Sequence, residues 1–134
     1  MQLHTAGLLF IQNKKLLLAF SKNKQCFYLP GGKIDETETA SQALCREIEE
    51  ELNVSLADDD LEYYTHITAN AFGEYAGVVM EQECFLVRKD IHPRPNAEIG
   101  EVRFFTLTEY LREECQAPGA VIILQQLTDA GLLE

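Results

Sequence analysis

The sequence predicts an α/β sandwich in which a mixed β-sheet packs between helices. Three observations lead there. Short β-rich runs recur along most of the chain, one strongly amphipathic helix interrupts them near the middle, and a second helical run closes the C-terminal end. At 134 residues the chain is expected to form a single domain, 1–134, long enough to bury a core. It shows no internal repeat, low-complexity tract or interdomain linker.

Leu3 to Ile11 reads as a strand with small residues at Ala6 and Gly7. Gln12-Asn13-Lys14 turns it into a second strand, Lys15 to Phe20, a predicted hairpin. Ser21 to Gln25 is a polar loop whose Lys22 and Lys24 are either solvated or phosphate contacts. Cys26 to Leu29 is a short strand leading into Pro30-Gly31-Gly32, a turn on which proline fixes φ and glycine opens paths closed to other residues. The central helix is expected from about Ala40 to Leu52. Thr39 is a good N-cap, Gln42 completes a capping box, and Asn53 suits a left-handed stop.

Beyond the helix, Leu56 to Asp60 reads as a solvated acidic linker without the spacing of a calcium loop. Leu61 to Ala71 is a strand turned by Phe72-Gly73-Glu74, and Gly77 to Arg88 is the longest β-rich run. Pro93 and Pro95 make Ile91 to Ala97 an extended loop. Glu101 to Leu107 is a last strand. Thr108 caps a short helix from Glu109 to about Cys115, and Pro118 suits the first turn of a final helix ended by Gly131.

Net charge is −11, from 22 acids against 11 lysines and arginines, and no basic run is present. Duplex nucleic acid is therefore not an expected partner. No apolar run approaches the length of about 18 residues that a membrane span needs, and the N-terminus lacks a signal pattern, so a cytoplasmic protein without a membrane partner is expected. Cys26, Cys45, Cys84 and Cys115 lack metal-ligand spacing and read as reduced packing residues. His4, His66 and His92 are scattered, and no serine sits in a hydrolase-elbow context. Oligomeric state is not legible.

The central helix breaks a local rule. A helix C-terminus carries partial negative charge, yet Glu47, Glu49, Glu50 and Glu51 crowd it with only Arg46 beside them. At about 100° per residue, Glu47, Glu50 and Glu51 share one face, with Glu49 turned away and Leu44, Ile48 and Leu52 forming an apolar stripe alongside. Ala43, one turn earlier, is expected to leave the acidic face open. A solvated acidic face is one reading. A cleft lining is the other: two carboxylates about 5 Å apart repel by roughly 3 kcal/mol at an effective dielectric near 20, and a hard divalent cation reverses that sign.

Gly32, five residues, Glu38, seven residues, Arg46-Glu47-Ile48, one residue, Glu50-Glu51 and, after two more residues, Val54 form a pattern that resembles the Nudix box. The one departure is Asn53, where the family has glycine, and it touches the helix stop rather than a carboxylate. The resemblance implies the Nudix α/β/α sandwich and hydrolysis of a phosphoanhydride in a nucleoside diphosphate linked to another group. It implies Mg²⁺, or Mn²⁺, held by Glu47, Glu50 and Glu51 with a carbonyl of Gly31 or Gly32. Arg46 would position Glu47, and Glu38 would stand behind as an outer carboxylate. In this family the general base is not always in the box. Glu98 is the candidate here, ahead of Glu101 and Glu74.

Substrate contacts fall outside the box. Phe27, Tyr28 and Lys33 around the glycine turn are the candidates, with Phe72, Tyr75 and Phe85 equally open to core packing. A nucleoside triphosphate, ordinary or oxidised, is the expected small-molecule substrate. A nucleotide sugar or dinucleotide, a non-catalytic nucleotide sensor, and a metal-free acidic interaction domain are the alternatives.

Overall fold

A computed structural model describes residues 2–71 and 77–134. The predicted turn at Phe72-Gly73-Glu74, and with it Tyr75, lies outside the described residues. The strands are β1 (Gln2–Leu9), β2 (Ile11–Gln12), β3 (Lys15–Ser21), β4 (Cys26–Tyr28), β5 (Gly31–Lys33), β6 (Leu61–Asn70), β7 (Val79–Val87) and β8 (Ile99–Phe105). The helices are α1 (Ala40–Leu52), α2 (Leu107–Tyr110) and α3 (Pro118–Asp129).

One sheet has the order β5-β1-β7-β6 and is mixed, with β1 and β7 parallel and the outer pairs antiparallel. In the other, β3 pairs antiparallel with β2, β4 and β8. Side chains alternate across each strand, so neighbours in sequence enter opposite cores. Ala6 and Leu8 of β1 and Leu17 and Ala19 of β3 pack with Leu44, Ile48 and Leu52 of α1. Leu9, Leu16 and Leu18 pack instead with Ile123, Leu124 and Leu127 of α3. Helices thus cover opposite faces, as the α/β/α expectation required.

The helix α1 spans Ala40 to Leu52 as expected. The Thr39 hydroxyl accepts the Gln42 N–H at 3.2 Å, the Gln42 side chain accepts the Thr39 N–H at 2.8 Å, and Asn53 ends the helix at φ 55°. Four local expectations need correction. The N-terminal hairpin is confined to β2 and β3, where Asn13 and Lys14 both take positive φ, the geometry of a tight type I′ turn. Strand β1 departs at Phe10 for the other sheet. The acidic stretch at 58–60 is exposed at Asp58 and Asp59 as expected, but it forms a 3₁₀ turn rather than a plain linker: Asp58 accepts from Ser41 at 3.1 Å and Asp60 pairs with Lys89 at 3.2 Å. The cap of the short helix is Thr106, not Thr108, because Thr106 and Glu109 form the capping box and the helix ends by Tyr110. Finally, Gly31 and Gly32 are not only a turn. They begin β5, an edge strand paired with β1.

Candidate active site

Gly31 has φ 143°, and a Cβ there would lie 2.0 Å from the Ala6 carbonyl oxygen, so only glycine lets β5 lie this close to β1. A Cβ on Gly32 would lie 2.4 Å from the Glu47 carboxyl. The glycine pair therefore leaves a bare strand against which the α1 carboxylates rest. It also opens a cavity of about 290 Å³. Glu47, Glu51, Gly31, Gly32 and Glu98 line one part of it.

Burial separates the acids of α1. Glu51 is 7% exposed, and its Oε1 accepts the Gly31 N–H at 3.4 Å. Burial, followed by repulsion from Glu47, pushes its carboxyl up to about 8; the Gly31 N–H opposes the shift and the Glu98 and Glu50 charges add to it. Glu47 is half-buried and also raised, by burial first, with Arg46 working against the shift. Glu50 turns outward, its side chain 58% exposed and Oε1 3.8 Å from Arg46 Nη1. Glu49 is exposed as expected. Ala43 corrects the expectation that it would leave the acidic face open. It is fully buried, on the side where α1 packs against β1 and β5.

Arg46 organises the group. Its Nη2 donates to Glu38 Oε1 at 2.6 Å and to the Lys33 carbonyl at 3.1 Å, while Nε reaches Glu38 Oε2 at 3.2 Å. Nη1 donates to Glu47 Oε1 at 2.9 Å. Two hydrogen bonds from one guanidinium to one carboxylate fix orientation as well as charge. They hold the Glu38 carboxyl below its ordinary value, helped by the Asp35 N–H.

Glu98 arrives from the far end of the chain, at the entry to β8. Its Oε2 accepts from Ser21 Oγ at 3.0 Å and from Asn23 Nδ2 at 3.1 Å, so the carboxylate is held from the β3 side. Glu101 is instead paired with Arg103 at 2.9 Å, and Glu74 lies outside the described residues. Tyr28 and Lys33 line the cavity. Phe27 does not: it is 3% exposed, stacked edgewise on Phe20 and Phe105 and covered by the Arg103 guanidinium at 4.8 Å. The substrate-binding expectation for Phe27 is therefore corrected to core packing, because β4 turns that side chain inward. Phe85 is likewise core, and Phe72 and Tyr75 lie outside the described residues.

Among the described residues, no three acidic, histidine or cysteine side chains gather as a ready cation cage. Glu47 and Glu51 converge and Glu50 stays on the rim. The donors present still suit a hard cation: carboxylates only, one of them buried on a single protein N–H. Lys24, exposed, places its Nζ 5.2 Å from the Tyr28 ring at the same cavity. Sequence reasoning missed Ser21 and Asn23, which no local pattern marks.

A glycine-edged cavity faced by helix carboxylates thus sits on an α/β/α sandwich, and the same fold recurs in known proteins. The NUDIX domain matches residues 1–127. A MutT NUDIX hydrolase from Burkholderia pseudomallei superposes at a TM-score of 0.77 with 23% identity, over 95% of this chain and 98% of that one. An Ap4A hydrolase from C. elegans does so at 0.70 with 21% identity, over 96% and 98%. A bifunctional NMN adenylyltransferase/ADP-ribose pyrophosphatase from Francisella tularensis, complexed with AMP and a manganese ion, gives 0.70 and 19% over 97% of this chain and 42% of that one. No curated protein sequence matches the chain. The chain belongs to the NUDIX domain family. Enzymes of this family generally use divalent metals.

Proposed function

We propose that the protein hydrolyses the phosphoanhydride of a nucleoside triphosphate, ordinary or oxidised, to a nucleoside monophosphate and pyrophosphate. The observation that carries this reading is the convergence of Glu47 and Glu51 on the glycine strand at one part of the cavity, with Glu98 lining the same space. Bound Mg²⁺, or Mn²⁺ in its place, supplies neutralisation of the charge that builds on the departing phosphate. Glu47, Glu50 and Glu51 would be the residues that hold it. Gly31 and Gly32 keep that wall free of side chains.

Arg46 keeps Glu47 from swinging away, and Glu38 keeps Arg46 in place. Glu98 takes a proton from the attacking water, whose oxygen bonds to phosphorus as the anhydride P–O bond breaks. Its hydrogen bonds from Ser21 and Asn23 fix it for that role. Lys33 and Lys24 lie at the cavity and offset part of the chain's net charge of −11 against a polyanionic substrate. A cytoplasmic setting, free of duplex nucleic acid and membrane partners and built as one domain over 1–134, accompanies this reading. Among the described residues, no helix is long and apolar enough to cross a membrane.

The Ap4A hydrolase and ADP-ribose pyrophosphatase among the structural neighbours keep a dinucleotide or another nucleoside diphosphate derivative as the second reading. Incubation with Mg²⁺ and a panel of these compounds, with products separated by chromatography, distinguishes them. Monophosphate plus pyrophosphate from a triphosphate is expected. Cleavage of dinucleotides alone favours the second reading, and tight binding without turnover favours a sensor.

A further inference from the structure

All four cysteines are free thiols, and two of them, distant in sequence, meet in the fold. Cys26 opens β4 and is 1% exposed. Cys115 lies in the connection between α2 and α3, is half-buried, and packs against the core that contains Cys26. The Cys26 thiol hydrogen-bonds with the Cys115 thiol, and the Tyr110 hydroxyl and the Ala117 N–H also reach it. Cys45 meets Asp58 and Asp60 instead, and Cys84 meets Glu83.

Backbone contacts on either side hold the two thiols together. The fully buried Tyr110 donates its hydroxyl to the Phe27 carbonyl at 2.6 Å and accepts the Ala117 N–H at 2.8 Å. One oxygen thus pins the residue after Cys26 to the residue two beyond Cys115. Gln116 closes the loop that carries Cys115, its amide donating to the Leu111 and Glu113 carbonyls at 2.9 and 3.1 Å. Two thiols held side by side, one enclosed and one within reach of solvent, are the arrangement of a reactive cysteine beside a resolving one.

We propose that Cys26 and Cys115 form a redox pair that closes to a disulfide under hydrogen peroxide and so locks the start of α3 to β4. The Cys115 sulfur attacks one peroxide oxygen, the O–O bond breaks, and the leaving oxygen takes the thiol proton as water. Cys115 is then a sulfenic acid, oxidised by the two electrons the peroxide gains. The Cys26 sulfur attacks the Cys115 sulfur, the S–O bond breaks, and the departing hydroxide takes the Cys26 proton as a second water. Two thiols and one peroxide become one disulfide and two waters. Burial, and then Cys115 beside it, hold the Cys26 thiol above its ordinary range, so it stays protonated until a sulfenic acid forms next to it. The bond closes a long loop of chain and restricts the unfolded state. It also ties two walls of the cavity, because Tyr28 and Ala117, each two residues from a cysteine of the pair, both line it.

Titration of the full-length protein with hydrogen peroxide, followed by peptide mapping without reductant and by thermal unfolding, tests this. Oxidised wild type is expected to lose two hydrogens in mass and to yield a Cys26–Cys115 cross-linked peptide that a dithiol reductant opens. Its melting temperature is expected to rise by at least about 5 °C. Cys45→Ser should behave as wild type does. Cys115→Ser should show no shift and leave Cys26 unmodified, whereas Cys26→Ala should stop at a Cys115 sulfenic acid captured by a 1,3-dione reagent. The absence of the cross-linked peptide, a bond joining other cysteines, or a covalent dimer through Cys115 overturns the proposal. So does dione labelling of Cys26 in place of Cys115, or a cross-link that leaves the melting temperature unchanged. The wild-type map decides by itself whether the bond forms, so the test holds even where a variant does not fold.

Discussion

Two pairs of glutamates in this fold carry equal formal charge and meet opposite fates. On the open face of the mixed sheet, Glu81 and Glu83 of β7 flank His66, whose Nε2 and Nδ1 lie 2.6 and 2.9 Å from their carboxylates. Thr68 donates to Glu81 at 3.0 Å, and Tyr63 donates to Glu83 at 2.8 Å. These partners lower the Glu81 carboxyl, the His66 bond leading, and raise the His66 imidazole through the two glutamates. On α1, Glu47 and Glu51 are buried with each other, share few donors and are both pushed up. The sheet pair is satisfied by the protein itself. The helix pair is left short of positive charge at a glycine wall, and such local frustration is what a binding site for a cation requires.

Breaking the helix pair should have the largest consequence. Glu51→Gln is expected to lower turnover at least about a hundredfold in a pyrophosphate-release assay, whereas Glu81→Gln should stay within about twofold of wild type. Equal losses in both would erase the distinction between the pairs. Next comes Arg46→Lys, which cannot bridge Glu38 and Glu47 at once. A loss of roughly ten- to a hundredfold in kcat is expected, with the melting temperature nearly kept.

Stability should separate the pairs by sign. The folded pKa of Glu51, about 8, exceeds its ordinary 4.5, so metal-free protein is penalised once the unfolded chain ionises above about pH 4.5. The penalty grows until about pH 8, where the folded carboxyl ionises too. Glu51→Gln should therefore raise stability near pH 8 by on the order of 1–4 kcal/mol in chelator-treated protein, with the gain fading toward pH 4. His66 runs the other way. Its raised folded pKa adds stability that is fully present below about pH 6.5 and lost as pH rises through the folded value. Because the group is more than a third exposed, His66→Gln should cost no more than about 1 kcal/mol at pH 6, and less at pH 9, by denaturant titration.

The box helix was legible almost to the residue, because Thr39, Gln42 and Asn53 are local signals that act on their own few neighbours. The order of strands was legible too. Their partners were not: β1 and β3 read as one hairpin, yet alternating burial on both faces lets each strand serve a different sheet, a choice set by long-range packing. The same limit governed the site. Glu38, Arg46 and Glu47 follow from spacing within one segment. The split between buried Glu51 and outward Glu50 depends on where β5 lies, and Phe27 was misplaced because a three-residue strand does not announce which face is core. Ser21 and Asn23 reach Glu98 across more than seventy residues, a distance over which no motif speaks.

The most direct test of the central claim is Mn²⁺ binding by calorimetry at pH 7 in buffers of different ionisation enthalpy, which reports protons released with the ion. The account predicts binding that releases about one proton in wild type, as the cation ionises Glu51, and that loses this release in Glu51→Gln but not in Glu81→Gln. No Mn²⁺ binding, or binding that is identical in Glu51→Gln, would contradict it.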